Sequence, residues 1–268
     1  MFNRLKINMD KTQSICLGSP QQLAQLNVNT ITLADVDIEV SDEVTYLGVV
    51  VDSTLTFAAN VKKHAGRCFH QLQQLRAVRH ILSVYAAKTS VHALITTRVD
   101  YCNSVLYGIT TTNLRPLQSV INAAAHLITG NCKFDHITDT LHWLPVRQRI
   151  QFKLCSLVSN CQRRTAPSYL VDMCIPVSAT SGHTHLPSAV HCDLVVPRTR
   201  LAHYGPCSFA ISVPVTWNSL PPDCRETSVS AVSFFSQLNR GVNLGGREGH
   251  VPSPEFGVER ISFFGHVV

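Results

Sequence analysis

Acidic side chains nearly vanish from the middle of this 268-residue chain. Residues 53–164 hold three acidic and fourteen basic side chains, a net of +11, whereas residues 1–52 net −4 and residues 165–268 net −1. A positive field over so long a stretch disfavours basic partners and favours polyanions. Long apolar runs are lacking too. None reaches the roughly 18 residues of a membrane span, and Met1–Lys6 is not followed by the apolar stretch of a signal peptide. No Cys-x2-Cys pair, Gly-x-Ser-x-Gly elbow or glycine-rich phosphate loop occurs. Their absence removes the usual zinc ribbon, hydrolase and nucleotide-loop classes. The ten cysteines follow no regular spacing and read as reduced thiols of a cytoplasmic or nuclear protein. No membrane, cofactor or small-molecule substrate is expected.

With 45% hydrophobic residues the chain can bury a core. Its first part reads as β-rich. Ser14–Leu17 reads as a short strand. Val28–Leu33 and Val36–Val40 read as a hairpin split at Ala34-Asp35, and Val44–Val51 as one β-branched run. The period then becomes helical. Val61, Ala65, Cys68, Leu72 and Leu75 form one apolar stripe. Lys63, Arg67, His70 and Gln74 fall roughly 180–240° from Val61 at about 100° per residue. Further helices are expected over Val84–Arg98, from Pro116 to a stop at Gly130, and from Pro145 with Val146, Ile150, Leu154, Leu157, Val158 and Cys161 inward. The Ala123–Ala125 triplet suits close helix approach. Ten of the thirteen prolines lie beyond residue 165. Short helices are expected there at Pro167–Met173, Cys207–Trp217 and Val229–Arg240, with residues 241–268 poorly ordered.

Several blocks carry a resemblance. The main ones are Val99–Gly108, Leu117–Ala125 and Leu141–Ile150, preceded by Leu5–Thr12 and Thr45–Gly48. They are followed by Leu194–Leu201, Tyr204-Gly205 and Trp217–Pro221. In this order they resemble the region after the polymerase core in reverse transcriptases of non-LTR (LINE-type) retrotransposons, most closely the CR1/L2-like group. The resemblance covers roughly residues 2–240. It implies an α+β, mostly α fold in which residues 1–52 are a palm remnant with a primer-grip-like hairpin. Residues 53–164 would be a basic, thumb-like helical region, residues 165–240 an irregular C-terminal segment and residues 241–268 a tail. Lys11 would lie near nucleotide phosphates. Tyr46 and Gly48 would form the grip, with Gly48 permitting close approach. Lys62, Lys63, Arg67, Arg76 and Arg79 would track phosphates of RNA, DNA or their hybrid.

The family's chemistry uses carboxylates around two metal ions, including an adjacent aspartate pair. No Asp-Asp pair occurs in this chain. The resemblance therefore implies a truncated polymerase fragment that is not itself an enzyme but retains sequence-independent nucleic-acid binding. One rival reading is a decayed element product without activity. Another is a metal enzyme using the histidine-rich segment. For the latter, His191, Asp193 and His250 with Arg260 mimic an iron-oxygenase triad, and His183, His185, His191, Cys192, His203 and Cys207 offer zinc donors. Neither set has the spacing or strand pattern such sites need. Trp143 and Trp217 read as core anchors rather than base-stacking platforms.

Overall fold

The computed structural model describes residues 8–26, 28–33, 35–130, 143–180, 192–199 and 205–225. Within them the chain is mostly helical, with two two-stranded antiparallel sheets, so the expected α+β, mostly α class holds. Helix Val229–Arg240, the tail 241–268, and His183, His185, His191, His203, His250 and Arg260 lie outside the described residues.

The first hairpin pairs β1 (Thr30–Leu33) with β2 (Val36–Glu39) around a turn that places Asp35 at φ +65°. The expected strand at Ser14–Leu17 reduces to one bridge, Ser14 to Val40. Pairing ends there because the chain turns at Gly18 into the short helix α1 (Pro20–Ala24). Ser19 and Gln22 cap that helix reciprocally, and Pro20 fills its first position.

The run Val44–Val51 is not one strand. It divides into β3 (Glu43–Tyr46) and β4 (Val49–Asp52), joined by Leu47-Gly48 at φ +48° and +82°. Positive φ at both central residues makes the tight turn whose twist suits a hairpin. Val49 and Val50 are buried against α2 (Ala58–Val78). The Asn60 side chain, itself buried, accepts the Val50 amide at 3.0 Å.

Helix α2 buries Val61, Ala65, Cys68, Leu72 and Leu75, as the spacing predicts. It packs along α5 (Thr111–Thr129). Between them α3 (Val84–Val91), a π-helical segment His92–Thr96 and α4 (Thr97–Asp100) run on continuously. Helix α5 begins five residues before the expected Pro116. The Thr110 hydroxyl accepts the Asn113 amide and so caps the helix earlier. Pro116 sits within the helix, where its missing N–H forfeits only the bond to the exposed Thr112 carbonyl. Gly130, at φ +70°, ends the helix as expected. Ala124 and Ala125 are fully buried.

Helix α6 (Val146–Gln162) starts after Pro145 and buries the predicted stripe, except that Leu157 stays half-buried. The proline-rich part adds α7 (Ser168–Val171), α8 (Phe209–Asn218) and α9 (Pro222–Arg225). A single hydrophobic cluster runs from Val61 to Cys224. Each Val, Leu or Ile fully buried in it contributes about 1.5–3 kcal/mol. Trp217 is buried in the cluster and its Nε1–H donates to the Cys192 carbonyl at 3.0 Å, while the half-buried Trp143 packs on its edge. No disulfide joins the described cysteines. Burial pushes the Cys155 thiol up to about 12, with the Cys224 thiol adding to it.

The link from β4 to α2 depends on Asp52. Its carboxylate accepts from the Thr56 and Phe57 amides at 2.8 and 2.7 Å and from the Thr54 and Thr56 hydroxyls, both at 2.9 Å. These bonds hold Leu55 and Phe57 at φ +53° and +54°, a conformation that costs a non-glycine residue about 1–2 kcal/mol. Burial alone would raise the Asp52 pKa, but the bonds outweigh it and hold the carboxyl below its ordinary value. A depressed folded pKa stabilises above the unfolded value of about 3.9 and is lost as pH falls through the folded one. Asp52→Asn should therefore cost about 1–2 kcal/mol near pH 7, screening by solvent included. The gap from the parent, measured by urea melts, should narrow as pH falls below about 3.9; a gap that does not change with pH contradicts this role.

Candidate nucleic-acid interface

Hairpin β3–β4 and the faces of α2 and α4 meet in an open cleft of about 300 Å³, lined by Gly48, His64, Arg67, Thr97, Arg98 and Tyr101. Three chain segments supply it. Gly48 comes from the turn, His64 and Arg67 from successive turns of α2, and Thr97, Arg98 and Tyr101 from α4 and the residue that ends it. The π-helical segment His92–Thr96 immediately precedes Thr97. Such an extra residue in a helical turn re-aims the side chains that follow.

Tyr101 fixes the roof. Its hydroxyl donates to the Leu47 carbonyl at 2.6 Å, so the turn is tied to the end of α4. Gly48 serves its φ of +82° rather than a close approach. A Cβ there would meet Tyr101 atoms at 3.8 and 3.9 Å, ordinary contact, but in a strained backbone. Tyr46 and Leu47 project outward and are 69% and 73% exposed, a wide apolar and aromatic tip above a basic cleft.

His64 reports the electrostatics. Burial depresses its pKa most, Arg67 adds to that, and Lys63 and Arg98 add further. A hydrogen bond to the Gly48 backbone pulls the other way. Its imidazole is therefore neutral at pH 7 and surrounded by cations. Arg98 also reaches toward Cys68, whose thiol burial raises and Arg98 lowers.

The expected site residues fall into groups. Gly48 and Arg67 line the cleft together, and Tyr46 is exposed at the end of β3, two residues before Gly48. Lys63 is exposed on the outward face of α2 and close enough to shift His64. Lys62 and Arg76 are exposed on the same helix but lie nearer its buried stripe, at roughly 100° and 60° from Val61. Lys11 is exposed in the turn Met9–Lys11, outside the cleft lining. The chain just after it is tied to β3 by Gln13, which accepts the Thr45 amide at 3.2 Å. Arg79 differs from the rest. Its guanidinium donates to the carbonyls of Leu127, Ile128 and Leu82 at 2.8, 2.9 and 3.0 Å, closing the C-terminus of α5.

Sequence reasoning missed His64, Thr97, Arg98 and Tyr101. Tyr101 lay inside the Val99–Gly108 block, so a signal was present. Its neighbours in that block are structural. Asp100 pairs with Arg149 at 2.9 Å, and the Asn103 amide reaches the same carboxylate at 3.4 Å. Burial raises the Asp100 pKa, and the Arg149 guanidinium draws it back. Asp193 forms an ion pair with Arg225, and among the described residues no three His, Cys, Asp or Glu side chains are arranged to hold a metal. Among them too, no helix is long and apolar enough to cross a membrane.

Comparison with known proteins agrees in kind. Over 143 residues, 52% of this chain, it is 29% identical to a protein described as probable RNA-directed DNA polymerase from transposon BS, of Drosophila melanogaster. The matched part is 15% of that relative's length. No family model and no solved structure matches the chain. The similarity supports a reverse-transcriptase-like origin.

Tyr101→Phe tests the roof. It should cost at most about 1 kcal/mol of global stability, since the lost bond is exposed. Amide exchange across residues 43–52 should nevertheless accelerate, because the turn loses its tether. Exchange there equal to the parent's would show that the hairpin is held without Tyr101.

Proposed function

We propose that this chain is a sequence-independent nucleic-acid-binding fragment related to the C-terminal part of a non-LTR reverse transcriptase. In this reading β3–β4 is a primer-grip-like hairpin and α2 to α5 a thumb-like region. The observation that carries it is the cleft itself, in which two arginines and a histidine converge beneath an exposed Tyr46-Leu47 tip. An aromatic tip beside guanidinium groups suits bases and phosphates of a flexible strand, with affinity taken from charge and stacking rather than sequence. RNA, DNA or their hybrid would serve, in the cytoplasm or nucleus. Taken by itself the chain does not polymerise, because it carries no adjacent aspartate pair to organise two metal ions. Arg79 stands outside the interface, its donors being engaged in closing α5.

Affinity for a mixed-sequence single strand should fall linearly in log–log form as salt rises, with Lys63→Glu and Arg67→Glu each lowering the slope by about one contact. Both positions are exposed, so melts should move by less than about 0.5 kcal/mol. In the same assay buffer a primed template with Mg²⁺ and nucleotides should not be extended. Salt-independent binding, indifference to both reversals, or primer extension would each overturn the reading.

A further inference from the structure

The cleft under the hairpin tip carries more positive charge than one internal phosphodiester needs. Arg67 and Arg98 enter it from two different helices, His64 lies beside both, and among the described residues no carboxylate lines it. Thr97 adds a hydroxyl. A guanidinium grips phosphate best by donating to two oxygens at once. A phosphodiester offers two non-bridging oxygens and one negative charge. A terminal phosphomonoester offers three oxygens and, with a second pKa near about 6, almost two charges at neutral pH. The charge of two arginines from separate elements is balanced by the second kind of group and not by the first, and its third free oxygen adds an acceptor for the second guanidinium. A space of about 300 Å³ holds a phosphate with part of its nucleoside, and the Tyr101-tethered turn closes one wall.

We propose that this cleft is a receptor for the terminal phosphate of a nucleic-acid strand, bound by Arg67 and Arg98 in preference to internal phosphodiesters. The inference rests on the nucleic-acid-binding reading above. It also makes His64 a reporter. The groups facing it are Lys63 and Arg67 on its own helix, Arg98 on α4 and the Gly48 backbone on the hairpin. Burial first, and then these cations, hold the imidazole neutral. A dianion placed among them favours the charged ring, so binding draws a proton onto His64.

The experiment compares one short single strand carrying a 5′-phosphate, a 3′-phosphate or hydroxyls at both ends, at fixed salt, by fluorescence anisotropy on the full chain. One phosphorylated form should bind about tenfold tighter than the hydroxyl form, the worth of one added charge-assisted contact. The preference should disappear in Arg67→Gln/Arg98→Gln. NMR titration of the His64 ring in the unsubstituted protein should show its pKa rising with the phosphorylated strand and less with the hydroxyl one. Equal affinity for all three strands with salt-sensitive binding retained would overturn this inference and leave the broader reading standing. Absence of binding to any strand would overturn both. A phosphate preference that survives in the double variant would overturn the assignment to this cleft.

Discussion

The turn from Val99 to Asn103 is the constraint on which the rest of the molecule depends. Within five residues it sends side chains to three places. Val99 enters the core. Asp100 meets Arg149 at 2.9 Å and so joins α4 to α6. Tyr101 reaches the Leu47 carbonyl at 2.6 Å and holds the β3–β4 turn over α2. Asn103, buried, braces Asp100 from the other side. Arg149 has a second bond, to the Leu144 carbonyl at 2.8 Å, which fixes the entry to α6. Removing Arg149 alone would leave Asp100 half-buried without its partner, a larger loss than the pair contributes when intact.

The charge of the interface and the burial of the core come from one periodicity. The face of α2 opposite its buried stripe carries Lys63 and Arg67, then His70 and Gln74, so the helix cannot bury Val61 and Ala65 without presenting both cations. What makes the resulting surface cationic is the scarcity of compensating acids. Of the three in residues 53–164, Asp100 is engaged by Arg149, and Asp135 and Asp139 lie outside the described residues. Asp52, the nearest acid before α2, is engaged by four hydrogen bonds within its own loop. Among the described residues, Arg67 and Arg98 thus line the cleft with no acid in its walls.

The helices were legible in the sequence because their apolar periods are long, and the buried stripes of α2 and α6 follow the expected spacing with Leu157 as the half-buried exception. Local chemistry was less so. Thr110 starts α5 through one hydroxyl, and a Thr among polar residues gives little warning of it. Leu47 at positive φ hides a turn inside a β-branched run, because a leucine is not a turn residue and only the following Gly48 hints at it. Lys63 and Arg67 could be placed on an outward face by angle alone. Arg79 could not be separated from them, since its partners, the carbonyls of Leu127 and Ile128, lie almost fifty residues away. His64, Arg98 and Tyr101 became neighbours only through the packing of α4 against α2. The Val99–Gly108 block carried the resemblance, and its geometry shows that Asp100 and Asn103 hold the scaffold while Tyr101 shapes the cleft.

Hydrogen–deuterium exchange of the full chain, with and without saturating single-stranded RNA at low salt, decides whether the hairpin, α2 and α4 form one binding surface. Exchange should slow in three separated segments at once: residues 43–52 of the hairpin, the first three turns of α2, and residues 97–101. Protection confined to residues 168–225, or none at the hairpin while binding is complete, would contradict it.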